Sequence, residues 1–107
     1  MALEHAAPGE KIYLGPLESA LSGAKTSALV RTDRFELIRL VLEAASTIPT
    51  HSVGGYVSLH CIEGSVVIEA GESIRLRPSD WVCLARKEPH SLKAMEDSSL
   101  LLTIYFD

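Results

Sequence analysis

Basic runs, long apolar stretches and paired cysteines are all missing from this chain of 107 residues. Ten Lys and Arg stand against 14 Asp and Glu, a formal net charge of −4. The basic residues are scattered, and only Arg86-Lys87 are adjacent. A surface of this kind has no electrostatic footprint for nucleic acid and little attraction to an anionic membrane. The wholly apolar stretches run only a few residues, too short to cross a bilayer. The first ten residues have neither a basic n-region nor a long apolar core, so they do not read as a signal peptide. Two cysteines, Cys61 and Cys83, sit outside any CxxC and are too few for a disulfide scaffold. They read as buried free thiols, which suits a cytoplasmic location. Glycine-rich phosphate loops, GxSxG, HExxH and EF-hand patterns are absent too.

Enough remains to bury one core. Hydrophobic residues make up 47% of the chain, ordinary for a globular fold. The length fits a single domain, here expected over 11–107 behind a flexible N-terminal arm of residues 1–10. A short strand at Ile12-Tyr13-Leu14, then a helical turn or loop over 16–24, lead into a change of texture at Ser27.

From there, short apolar runs recur between turn residues. They cover 27–31, 35–44, 56–62, 65–70, 73–77, 81–85, 90–95 and 100–106. Pro49 lies in the connection after the second run, and Glu63-Gly64 and Gly71-Glu72 close the third and fourth. Ser73-Ile74-Arg75-Leu76-Arg77 alternates strictly, as a half-buried strand requires. Short strands at this spacing predict an all-β sandwich or barrel. The run 35–44 also fits a helical stripe, which stays open as an alternative.

His51 and His90 each follow a proline closely and each stand at a strand–loop junction, where barrel mouths are built. Their spacing to Leu59-His60-Cys61-Ile62-Glu63-Gly64 and to Pro78-Ser79-Asp80-Trp81-Val82 resembles the two motifs of the cupin family, over residues 35–106. The resemblance implies a cupin-like double-stranded β-helix, an antiparallel jelly-roll barrel. It places His51 on the first histidine of the first motif and His90 on the histidine of the second. Val53 and Val57 stand where that family carries a second His and a Glu, and Ser79-Asp80 replaces Gly-Asp. Ala85 and Lys87 occupy later Pro and Gly positions.

Two of four usual metal ligands therefore remain. The resemblance implies one divalent transition metal (Fe, Mn, Ni or Zn) on His51 and His90, held poorly for want of the other ligands. Strand parity puts Val57, Leu59 and Cys61 on one face and Tyr56, Ser58, His60 and Ile62 on the other. With Val57 inward, His60 points out and supplies no third ligand. Val53, Val57, Leu59 and Cys61 would make the cup apolar, a normal lining for a small-molecule site with His51 and His90 as its polar groups.

The leading expectation is thus small-molecule binding in the barrel. A metal-dependent enzyme, of dioxygenase or isomerase type, is the alternative. A structural or sensor module, with both histidines merely fixing loop ends, is a third. The partly apolar outward set on 56–62, and the resemblance, both point to a homodimer.

Overall fold

A computed structural model describes residues 5–106. Nine strands form among them: β1 (Ser27–Arg31), β2 (Phe35–Leu42), β3 (Thr47–His51), β4 (Val57–Glu63), β5 (Val66–Ala70), β6 (Glu72–Leu76), β7 (Trp81–Leu84), β8 (His90–Ala94) and β9 (Ser98–Tyr105). Every pairing is antiparallel. The strands make two sheets, ordered β1-β2-β9-β4-β7 and β3-β8-β5-β6.

The core lies between the sheets. Leu40, Leu42, Val57, Leu59, Cys61, Leu84 and Leu100 enter it from the five-stranded sheet. Val66, Ile68, Ala70, Leu76, Leu92 and Ala94 meet them from the four-stranded one. Alternate residues on each strand do this, because successive side chains point to opposite faces. The helical alternative for 35–44 falls to register: eight residues of β2 pair in order with β9, from Phe35↔Tyr105 to Leu42↔Ser98.

Three local expectations are corrected. Residues 12–14 join no ladder; instead the Tyr13 carbonyl accepts a hydrogen bond from Arg39 Nη2 at 3.3 Å. The helical turn shrinks to a 3₁₀ turn at Glu18–Ala20. The connection carrying Pro49 is itself a strand, β3. Proline is tolerated there because β3 is an edge, bonded only to β8, with its register shifted between Ile48 and His51. Of the expected arm, residues 1–4 lie outside the described residues; Ala6 N donates to Leu29 O on the edge strand β1.

Gly64 closes β4 with φ of +84°, a left-handed value that disfavours any Cβ. Packing adds a second constraint. A Cβ there would overlap Ser98 Oγ, the Asp97 carbonyl oxygen and Ser98 Cα.

The outer face of the five-stranded sheet is partly covered by the chain's own N-terminal segment. Glu63 accepts hydrogen bonds from Leu17 N at 2.9 Å, Glu18 N at 3.1 Å and Ser99 Oγ at 2.5 Å. Burial alone would raise the Glu63 pKa. Those three donors and the Arg39 charge outweigh it and hold the carboxyl below its ordinary value. Arg39, 6% exposed, lies under the same segment, and its Nη1 has no partner.

Candidate functional site

Register builds the site. β3 and β8 are neighbours, and His51 pairs with His90. The ring centroids stand 4.3 Å apart, tilted by 59°. His90 is 3% exposed, on a strand bonded on both sides; His51 is exposed on the edge.

Both rings are fixed the same way. His51 Nδ1 lies 3.0 Å from Pro49 O, and His90 Nδ1 lies 2.9 Å from Glu88 O. A carbonyl oxygen can only accept, so each Nδ1 carries the proton and donates it. In the neutral ring each Nε2 then keeps a lone pair that can accept a hydrogen bond or coordinate. Pro49 itself supplies the first carbonyl, and Pro89 stands between Glu88 and His90.

The two rings border a cavity of about 80 Å³, closed otherwise by Leu40, Ile48, Leu59, Leu92 and Leu102. Its walls carry no charged side chain. Drug-sized pockets run to roughly 300–1,000 Å³, and one water takes about 30 Å³ of liquid. The cavity therefore holds a few small atoms, or one end of a larger molecule lying over the exposed His51. A hollow of about 410 Å³ on the outward side of β3, β8 and β5 is larger, but it is an open sheet face away from both rings.

Among the residues read as ligand-binding, His51, His90 and Leu59 line the cavity. Val57 and Cys61 lie in the surrounding core, and Val53 packs against that core, but none of the three borders the space. Burial pushes the Cys61 thiol up to about 11, with Asp80, Glu96 and Glu63 adding to the rise, so it stays protonated. Leu40, Leu92 and Leu102 are lining residues that the motifs do not mark, and only Leu92, in His90-Ser91-Leu92-Lys93-Ala94, stands in a run that alternates. Ile48 has no such signal, because Pro49 masks its strand. His60 points outward between Trp81 and Leu101, away from the cavity. Cys83 departs from the expectation of burial and is exposed on the edge strand β7.

Ser79 and Lys87, at positions where the motif carries glycine, have φ of 79° and 62°. The fold keeps its left-handed turns without their usual residue. Asp80 steadies the first turn, with Oδ2 accepting from Arg77 N at 2.9 Å. Lys87 N donates to Val53 O, tying the loop before His90 to the loop after His51.

A resident metal does not fit this donor set. Two imidazole nitrogens are available, and no group of three or more His, Cys, Asp or Glu side chains that could hold an ion gathers among the described residues. Protein metal sites normally supply three or four ligands. Val57 is buried where a carboxylate would have to enter.

No family model matches the sequence, and no curated protein does. Solved structures match closely in shape. A cupin superfamily protein from Desulfitobacterium hafniense superposes with a TM-score of 0.79 at 17% identity, covering all of both chains. A conserved protein of unknown function from Streptococcus pyogenes gives 0.77 at 17%, covering 100% of this chain and 98% of that one. A cupin-2 domain protein from Shewanella frigidimarina gives 0.69 at 11%, covering 85% and 93%. The chain has the fold that these structures share, a small cupin barrel. Among the described residues no helix is long and apolar enough to cross a membrane.

Proposed function

We propose that this cupin-fold chain binds a small molecule at the His51–His90 cup, without a resident metal. One observation carries the reading. Both imidazoles spend Nδ1 on a backbone carbonyl and border the same aliphatic cavity with Nε2 left to accept. A ligand that brings hydrogen-bond donors on a small apolar body suits two acceptors and five aliphatic walls. Direct contact with Nε2 contributes orientation, and the walls contribute burial.

The test uses chelator-treated protein and a panel of small alcohols, primary amides and carboxylic acids. Chemical shifts of the two imidazole rings are followed by NMR. The expected result is saturable movement of both rings by at least one panel member, lost in His90→Ala and weakened in His51→Ala. The reading fails if no member moves the rings while added Fe, Mn, Ni or Zn binds at one equivalent. A metal-dependent enzyme would then take its place.

A further inference from the structure

We infer that the hollow on the outward side of β3, β8 and β5 is a second binding site, for a small zwitterion of dipeptide size. It stands apart from the reading of the cup, because the two spaces lie on opposite faces of one sheet. Its volume, about 410 Å³, falls within the roughly 300–1,000 Å³ of small-molecule sites. Val67 and Ser91 form a half-buried floor, and Glu69, Lys93, Thr47 and Pro49 stand around them. Met95, 47% exposed, adds a pliable thioether to the lining.

Charge selects the ligand. Lys93 pairs with Val67, and Glu69 lies two residues further along β5, so the two stand on a diagonal of about 7–8 Å. No ion pair joins them. Glu69 Oε1 accepts from Ser73 Oγ at 2.8 Å, and the Lys93 ammonium is without a partner among the described residues. Arg75, the next charge on this face, is already engaged, its Nε donating to Ser65 Oγ at 3.1 Å. One cation and one carboxylate with lone pairs to spare thus flank an apolar floor. A ligand of a single sign meets one wrong charge here, whereas a molecule carrying both signs meets each with its opposite. Spacing sets the size. The two charges of a free amino acid sit on one carbon, but those of an extended dipeptide lie about 6 Å apart, from a rise of about 3.3 Å per residue. Its apolar side chains suit Val67, Pro49 and Met95. Its peptide group suits the Thr47 and Ser91 hydroxyls, neither of which is bonded elsewhere.

The hollow also has a mechanical link to the ring on the other face. Between the pairs Ile48↔Leu92 and His51↔His90, β3 carries one residue more than β8, a bulge at Pro49-Thr50. That extra residue lets Ile48 and His51, of opposite parity, both border the inner cavity. Pro49 and Thr50 line the outer hollow, and the Pro49 carbonyl accepts from His51 Nδ1. An occupant leaning on Pro49 therefore displaces the carbonyl that orients His51.

The experiment is an NMR titration with leucylalanine (roughly 0.1–20 mM, the range of a weak site), reading the Val67 and Met95 methyl groups. Saturable movement of both is expected, with the His51 ring following. N-acetyl-leucylalanine lacks the ammonium and leucylalaninamide lacks the carboxylate; each should bind about two- to fivefold more weakly, the worth of one exposed ion pair. Lys93→Ala should abolish the preference for the free carboxylate, and Glu69→Gln the preference for the free ammonium. Both positions are exposed, so both variants should fold. Equal binding of the three compounds by the unsubstituted chain overturns the inference, as does a titration in which neither methyl group moves. Movement of the His90 ring with Val67 and Met95 unmoved assigns the dipeptide to the cup and overturns it too.

Discussion

Replacing Gly64 with alanine separates two costs that usually come together. The position is left-handed, at φ +84°, and that alone costs an L residue about 1–2 kcal/mol. The new methyl must also displace Ser98 and the Asp97 carbonyl. Ser98 is fully buried and its hydroxyl accepts from Ser65 N at 3.0 Å, so it has nowhere to go without breaking a bond worth about 1 kcal/mol. Forced overpacking adds about 1–3 kcal/mol. A total of about 3–6 kcal/mol is expected. For a chain of this length the unfolding entropy is about 0.2 kcal/mol/K, so the melting temperature should fall by roughly 15–30 °C. Gly71→Ala is the control. Gly71 has φ +79° and open space where the alanine methyl would stand, with no atom within 4 Å, so it should show only the backbone cost, about 1–2 kcal/mol. Urea unfolding followed by circular dichroism gives both values. Equal losses at the two sites would refute the packing argument and leave backbone strain as the whole effect.

Ser79→Gly and Lys87→Gly relieve left-handed strain at φ 79° and 62°. Each should raise the unfolding free energy in urea by about 0.5 kcal/mol, after the flexibility of unfolded glycine is set against the gain. Glu63→Gln removes a charge that accepts from two backbone amides and a hydroxyl, and should cost about 1–3 kcal/mol at pH 7. Because the folded carboxyl titrates below its unfolded value, its contribution is complete above the unfolded pKa of about 4.3 and disappears as pH falls through the folded one. The gap between the stability curves of the wild type and Glu63→Gln should therefore begin to close as pH falls below about 4.3 and go on narrowing as pH falls further; a gap that stays constant with pH would sink the charge argument.

The succession of most strands along the chain, and the facing of β4, were legible from short apolar runs between turn residues. Val57, Leu59 and Cys61 point inward and His60 outward, as parity required. β3 was illegible for a physical reason. Thr47, Pro49, Thr50 and His51 look like a loop, and only the edge position lets a proline sit in a ladder. The loop-like look of β3 hides the pairing of His51 with His90, which spacing alone merely places near one another. Strand parity also could not tell which inward residues border a space and which fill it. Val57 and Cys61 share a face with Leu59, yet only Leu59 reaches the cavity. Ser98 and Ser99 look like turn residues and are buried in β9, because the Ser98 hydroxyl accepts from Ser65 N and donates to Glu96 O, and Ser99 donates to Glu63.

The two imidazoles stand on unequal ground. His90 belongs to a strand laced into the sheet on both flanks, whereas His51 hangs on a single, interrupted row of bonds at the border. Opening of such a border strand costs less than unfolding the whole. One ring is thus an anvil and the other a jaw. A guest too wide for about 80 Å³ can be admitted by moving β3 alone, with His90 and the inner wall left in place. If the cup binds small molecules as proposed, the breadth accepted would be set by how far this one edge strand yields, and a cross-link pinning β3 to β8 would narrow it without touching either histidine.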